Sequence, residues 1–348
     1  MRLLVSCLLV LLIPPRLSAG VAEDWRYIVS LDAGPKKKPT TRDEAALFAR
    51  NHFLIQRKAI EQFLARYPND SHVFDARLKL ARILAADGKM GNDQSEVDDA
   101  LRLLGDLEKT PGVPRESLAD AGFARASLLM QNQEGNTQRT RESIIWSART
   151  FTAKYPGDRR GPRLLVEAAT VCDDVPNQKR DLLEEALRLT DEEALRRRIA
   201  DDLRRLDLLG KPLNLKMTAL DGGEIDLARL RGYVVVLIFW SVDSPHSLLW
   251  LRDFRSSWET LPKDQIRVVT VSLDENPKTL DSRLRELRAD WPTHFDGMGW
   301  QSPVARSLGI NALPTVWILD KEGILKTINA RSSYETCIRQ LLREGAIP

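Results

Sequence analysis

Cysteine and histidine are scarce in this 348-residue chain, which contains three cysteines and four histidines. So few cysteines exclude a small protein held together by disulfide bonds. The histidines are dispersed and none has a partner at the spacing of metal ligands, so we expect no metal site. No apolar run reaches the ~20 residues that a membrane-spanning helix requires. The formal net charge is only +3, and the absence of a basic stripe argues against nucleic-acid binding.

The first twenty residues have the pattern of an export signal. Arg2 precedes an almost entirely apolar run over 3–13, two prolines follow, and small residues end the segment. This order is typical of a secretory signal peptide, with cleavage expected after Gly20 or Ala22. We therefore predict a signal peptide at 1–20 and an exported protein, periplasmic or otherwise extracytoplasmic. No integral membrane segment is expected after cleavage.

The length and a hydrophobic fraction of 43% predict two folded domains. The fold class that we predict is an all-α domain of helical repeats followed by a smaller α/β domain. The composition changes at Gly210, beyond which lie six of the eight tryptophans. We place a linker at 21–40, the helical domain at 41–209 and the α/β domain at 210–348.

Apolar residues recur at helical spacing through most of 41–209. Two segments repeat there, because the residues 63–70 (FLARYPND) resemble 151–158 (FTAKYPGD). In each, an aromatic pair closes a helix, proline ends it, and aspartate is placed to cap the next turn. The pattern resembles tetratricopeptide-like helix pairs, which present a surface to a partner. A helical spacer that positions the next domain is the alternative. The charged segment 191–205 reads as a solvated connector.

Strand patterns appear only in about the last two-fifths of the chain. Buried-strand runs are predicted at 233–240, 266–273, 315–319 and 324–328, with an earlier hairpin at 213–227. Helices fit between them, at 246–261, 277–289, 302–308 and 332–344. This order predicts a small mixed sheet with helices packed on it.

Four short segments in this order carry a resemblance to a known family. They are Leu230–Trp240 (LRGYVVVLIFW), Val271–Asp274 (VSLD), Phe295–Gly297 (FDG) with Trp300 nearby, and Gly309–Thr315 (GINALPT). Together they resemble the exported TlpA-like thiol:disulfide oxidoreductases of the redoxin superfamily, over about 210–348. The resemblance implies a thioredoxin fold.

The resemblance also implies a Cys-x-x-Cys site after the Phe-Trp pair, and here this sequence departs from the family. Ser244 and Ser247 stand where the two cysteines belong. Thiol–disulfide exchange needs a thiolate to attack sulfur and a second thiol to resolve the mixed disulfide. Serine supplies neither, so we expect no catalytic residue, no cofactor and no dithiol activity at this site.

A binding site without redox chemistry remains plausible on the same residues. Ser244 followed by Pro245 is a typical helix start, with Asp243 placed to share the cap. The resemblance implies that Pro314 is cis and faces this turn, beside an edge that pairs with an extended partner segment. We expect a protein or extended peptide partner to contact these residues: Trp240, Asp243, Ser244, Pro245, His246, Ser247, Leu313, Pro314 and Thr315.

Three other interpretations were weighed. A thiol-disulfide oxidoreductase with a non-standard cysteine requires Cys172 or Cys337 to lie near Ser244. The simpler interpretation is that these are two separate buried cysteines inside helices. A structural spacer requires no ligand. A hydrolase built on Ser244 and His246 is disfavoured, because no Gly-x-Ser-x-Gly elbow surrounds the serine and residues two apart on a helix do not face each other.

Overall fold

A computed structural model describes residues 20–35, 38–132 and 137–344. Contacts divide the chain into two compact units, Met1–Gly161 and Pro162–Pro348. All but the last residue of the predicted signal peptide at 1–20 lies outside the described residues. Within the described ranges, no helix is long and apolar enough to cross a membrane. The predicted domain boundary at 209/210 stays a prediction.

The first unit is built from helices, which confirms the helical prediction for this region. Hydroxyl and carboxylate caps start several of them: Thr41 Oγ1 accepts from the Glu44 amide at 3.2 Å, and Thr137 Oγ1 accepts from the Thr140 amide at 3.1 Å. The helices are α1 (Val21–Ser30), α2 (Arg42–Arg66), α3 (Val73–Gly91), α4 (Gln94–Leu107), α5 (Arg115–Gln131) and α6 (Gln138–Lys154).

The segment at 21–40, which we predicted to be a linker, contains helix α1. One face of α1 packs against α2, with Ile28 only 1% exposed in a cluster that includes Phe63. The Trp25 and Phe63 ring centroids lie 5.5 Å apart. Burial of this face stabilises a helix that is too short to persist alone.

The two repeated segments adopt the same local structure. The amides of Tyr67 and Tyr155 donate to the carbonyl of the phenylalanine four residues earlier, at 2.8 and 2.9 Å. The two rings of each pair have centroids 5.1 Å apart. The carboxylates of Asp70 and Asp158 each accept from the amide two residues later, at 2.9 Å. The predicted aromatic closure and aspartate cap are therefore present at both helix ends.

The second unit contains the remaining helices and all strands of the described chain. Helix α7 (Arg160–Ala169) begins two residues before this unit and belongs to it from Pro162 onward. The other helices are α8 (Pro176–Leu189), α9 (Glu193–Leu208), α10 (Pro245–Trp258), α11 (Pro277–Glu286), α12 (Pro303–Ser307) and α13 (Tyr334–Glu344). The strands are β1 (Lys216–Thr218), β2 (Glu224–Asp226), β3 (Val234–Trp240), β4 (Ile266–Ser272), β5 (Thr293–His294), β6 (Thr315–Leu319) and β7 (Leu325–Thr327).

Five strands form one mixed sheet in the order β5-β4-β3-β6-β7. Strand β3 runs parallel to β4, with Trp240 opposite Ser272, and antiparallel to β6, with Phe239 opposite Thr315. The carboxyl ends of β3 and β4 and the start of β6 therefore share one edge of the sheet. Every residue of β3 is buried, as its unbroken apolar run predicts.

Alternate residues of β3 face the larger core of this unit. Val234, Val236, Ile238 and Trp240 pack there with side chains of α10, α11 and α13. On the other face, Phe239 meets Trp317 of β6 edge to face, with ring centroids 5.4 Å apart. The mixed sheet and flanking helices predicted from the sequence are confirmed.

Candidate functional site

The turn between β3 and α10, residues 241–247, is called the serine turn below. Ser244 is the N-cap of α10, and its Oγ accepts from the Ser247 amide at 3.2 Å. Pro245 occupies the first turn, where a missing N–H costs nothing. The predicted helix start is confirmed. The Ser244 oxygen therefore acts as the acceptor that caps the helix.

Two exposed side chains of the serine turn, Asp243 and His246, do not take part in the cap. The Asp243 amide donates to Ser241 Oγ at 3.0 Å, and its carboxylate faces solvent. We expected Asp243 to share the helix cap, but Ser244 makes the cap without it. These two groups form the outer surface of the turn. They are available to a partner, and nothing orients His246 toward Ser244 as a base.

Ser247, at the second cysteine-like position, is fully buried. Its Oγ has no hydrogen-bond partner among the described residues, and neither has the indole N–H of buried Trp240. A buried hydroxyl without a partner costs about 1–3 kcal/mol relative to a hydrated one. A less polar side chain at position 247 would therefore make the folded protein more stable.

A buried carboxylate beneath the serine turn was missed by the sequence analysis. Asp274, two residues beyond the end of β4, is 5% exposed. Its Oδ1 accepts from Ser241 Oγ at 2.7 Å and from the Val242 amide at 2.8 Å, and its Oδ2 accepts from Ser272 Oγ at 2.6 Å. Such charge-assisted bonds are stronger than neutral ones, so Asp274 ties the start of the serine turn to β4.

The segment Gly309–Pro314, called the proline loop below, enters the sheet at the same edge. The Leu313–Pro314 peptide bond is cis, as the resemblance implies. Thr315 lies opposite Phe239, so Pro314 and the end of β3 are neighbours in the ladder. Thr315 Oγ1 closes the loop by donating to the Ala312 carbonyl at 2.7 Å.

Leu313 leaves its backbone open. Among the described residues, neither its amide nor its carbonyl makes a backbone hydrogen bond in the loops and turns. Its side chain is partly buried, whereas Pro314 behind it is buried. An amide and a carbonyl without partners at the end of a strand are the groups to which an extended segment can add.

Helix α9 braces the proline loop. Asn311 Nδ2 donates to Asp202 Oδ1 at 3.1 Å, and Arg205 donates to the Gly309 carbonyl and pairs with Asp202. A Cβ on Gly309 would lie 2.6 Å from the Asp201 carbonyl oxygen, so only glycine fits this approach. Burial lowers the pKa of Arg205 to about 10, so its guanidinium stays charged at neutral pH.

This contact corrects the reading of 191–205 as a solvated connector. Mixed charges along the helix favoured exposure, but Asp202 is 8% exposed and the Arg205 side chain 12%. Their mutual pairing and the loop carbonyl satisfy both groups in the interior.

His294 is another residue whose surroundings the sequence did not predict. It lies in β5, is 7% exposed, and has Nδ1 2.7 Å from the Thr218 carbonyl oxygen. Its Nε2 lies 3.6 Å from Asp296 Oδ2. No group of three His, Cys, Asp or Glu side chains in the described ranges could hold a metal ion.

The two cysteines of the described chain make local contacts. Cys172 is buried in a short 3-10 turn after α7, where its Sγ lies 3.6 Å from the Ala168 carbonyl oxygen. Cys337 is on α13, with Sγ 3.9 Å from Ser333 Oγ. The expectation of two buried helical cysteines therefore needs correction, since Cys337 is only partly buried and Cys172 ends a 3-10 turn.

The comparisons with known proteins concern the second unit. Residues 210–328, about a third of the chain, match the model of the AhpC/TSA family. Sporulation thiol-disulfide oxidoreductase A of Bacillus subtilis is 24% identical over 115 residues, which cover 32% of this chain and 67% of that protein.

Solved structures also match a similar part of the chain. The C-terminal domain of a Bacteroides thetaiotaomicron protein is 20% identical, with 39% of this chain and 97% of that one covered and a TM-score of 0.37. A thiol-disulfide oxidoreductase from Bacteroides fragilis is 16% identical, with 36% and 96% covered and a TM-score of 0.31. The second unit thus contains a thioredoxin-like α/β domain that is similar to the AhpC/TSA family and has thiol-disulfide oxidoreductases among its relatives.

Proposed function

We propose that this protein is an exported, redox-inactive binding protein that holds an extended protein segment against its proline loop. The observation that carries the proposal is the pair Ser244 and Ser247, which stand at the two cysteine positions that the family resemblance implies. An alcohol at a helix start is not ionised usefully and forms no disulfide, so attack and resolution are both lost. The frame around the pair is nevertheless complete.

Two features support binding at this edge. The amide and carbonyl of Leu313 lack backbone partners among the described residues, while Asp243 and His246 are exposed polar residues of the serine turn at the same edge of the sheet. Strand addition uses such backbone groups for affinity and neighbouring side chains for specificity. The edge is also braced by Asp274 and α9, so little order is lost when a partner binds.

Export is the part of the proposal that rests on residues 1–20, whose composition is that of a signal peptide. The helical region, which we propose to be tetratricopeptide-like, would add a second docking surface. The repeated helix ends at 63–72 and 151–160 support this part.

A thiol-disulfide oxidoreductase is the second candidate, because the Bacillus subtilis relative carries that name. It requires Cys172 or Cys337 to act as the nucleophile. The hydrogen bonds of both sulfurs to residues of their own segments favour the binding protein instead.

An insulin-disulfide reduction assay with dithiothreitol as reductant tests the choice. We expect the mature protein to be inert and the double variant Ser244→Cys/Ser247→Cys to be active, because the variant restores both thiols on an intact frame. The single variant Ser244→Cys is the matched control, with a nucleophile but no resolving thiol. Activity of the unmodified protein that disappears in Cys337→Ser or Cys172→Ser would establish the oxidoreductase.

A further inference from the structure

A cleft of about 650 Å³ lies within the second unit, between α9 and the segments on either side of α12. None of the predicted binding residues lines it. Three arginines, two side-chain amides and one tryptophan are among the residues that line it. The full lining is Arg197, Ala200, Asp201, Arg204, Trp300, Gln301, Arg306, Gly309, Ile310 and Asn311.

The cleft has an excess of positive charge, because three arginines line it and Asp201 is the one acidic residue among the lining side chains. Arg204 Nη1 bonds to Asp201 Oδ1 at 3.0 Å and to the Arg306 carbonyl at 2.9 Å. Asp201 is thereby engaged by one of the three arginines, and the other two add positive charge to the cleft.

Arg306 and Arg197 retain most of their capacity to bind an anion. Arg306 Nη1 bonds to the neutral Gln301 Oε1 at 3.2 Å. Arg197 Nε lies 3.7 Å from Glu193 Oε1, with both side chains more than 70% exposed, and solvent-exposed pairs of this kind are worth little. A partner carboxylate can therefore pair with the guanidinium of Arg197 or Arg306 without breaking a strong ion pair.

An exposed indole contributes to the apolar part of the cleft. Trp300 is 50% exposed, although large apolar side chains are normally buried. The turn that carries it is fixed at both ends, since Asp296 accepts from the Met298 amide at 2.9 Å and from Ser302 Oγ at 2.6 Å. A rigid, half-exposed tryptophan is a group that loses little entropy when a ligand covers it.

Part of the proline loop lines the cleft, because Gly309, Ile310 and Asn311 bound it and Leu313 follows two residues after Asn311. The cleft therefore shares residues with the loop at which the extended segment is proposed to bind.

We propose that this cleft binds acidic side chains of the extended segment held at the proline loop, so that the partner is an acidic peptide segment of a protein. The inference rests on the proposed binding function and adds its chemistry. Arg197 and Arg306 pair with the carboxylates, and Trp300 covers the apolar side chains between them.

Fluorescence anisotropy with two labelled ten-residue peptides tests the inference on the full mature chain. One peptide alternates valine with glutamate and the other alternates valine with glutamine. We expect the glutamate peptide to bind about tenfold more tightly in low salt, and the difference to shrink as salt is added.

Variants then assign the preference to the cleft. The double variant Arg197→Gln/Arg306→Gln is expected to weaken the glutamate peptide about five- to twentyfold and to leave the glutamine peptide unchanged. Trp300→Ala should weaken both peptides. Arg102→Gln is the matched control, an exposed arginine on α4 in the first unit, and should change neither affinity. Thermal melting confirms that each variant is folded.

The outcomes separate this inference from the proposed function. Equal binding of both peptides, unaffected by the double variant, overturns the acidic preference and leaves the binding edge standing. Binding of neither peptide overturns both. A glutamate preference that survives the double variant overturns the assignment to this cleft.

Discussion

The serine turn and the proline loop meet at one edge of the sheet, yet they satisfy their polar groups in opposite ways. The serine turn is closed on itself, because Ser244 caps α10 and Asp274 holds Ser241 and the Val242 amide. The proline loop is held by α9, while the amide and carbonyl of Leu313 have no backbone partner among the described residues. The serine turn thus uses its polar groups for local structure, whereas the proline loop keeps two backbone groups without such partners.

The largest effect on stability is expected from a substitution of Asp274, which holds the serine turn to β4. Asp274→Ala removes the acceptor of two hydroxyls and one amide, so we expect a loss of about 3 kcal/mol in the free energy of unfolding. Urea denaturation measures it. Asp274→Asn keeps one acceptor oxygen and should lose about half as much. A loss for Asp274→Ala with none for Asp274→Asn would show that volume, and not the hydrogen bonds of the carboxylate, matters here.

The brace of α9 on the proline loop is tested by Gly309→Ala. Gly309 has a φ of +70°, and a Cβ there would lie 2.6 Å from the Asp201 carbonyl oxygen. Gly210 has a nearly equal φ of +74° with nothing within 4 Å. We expect Gly309→Ala to cost about 2–3 kcal/mol and Gly210→Ala about 1 kcal/mol, measured by urea denaturation. Similar costs at both glycines would argue that α9 does not press on the loop.

The smallest effect compares Ser244 and Ser247 of the serine turn. Ser247→Ala removes a buried hydroxyl without a partner and should raise the free energy of unfolding by about 1 kcal/mol. Ser244→Ala removes a helix cap and should lower it by about 1 kcal/mol. Melting temperatures of the two variants should therefore move in opposite directions. A shift of the same sign would show that Ser247 has a role that its surroundings do not reveal.

Local pattern predicted most of this fold. The unbroken apolar run of β3 and the Ser244–Pro245 helix start each depend on residues close in sequence, and both are present. The repeated helix ends belong to the same class, because their hydrogen bonds join residues at most four apart.

Contacts between distant segments account for what was missed. Asp274 lies 32 positions from Val242, and Asp202 lies 109 positions from Asn311. Composition gives no sign of such pairs, since an aspartate after a strand or among helical arginines is normally exposed. The segment 21–40 was misread for a related reason, because α1 gains its stability from packing on Phe63.

The contact between α9 and the proline loop limits how this loop can be moved onto another protein. The family match begins at residue 210, after α9 has ended. A fragment cut at that boundary would carry the loop but leave behind Asp202 and Arg205, which hold Asn311 and Gly309. A graft of the binding edge onto another scaffold must therefore include a helix that lies outside the segment recognised as the family, or supply a substitute for its two charges.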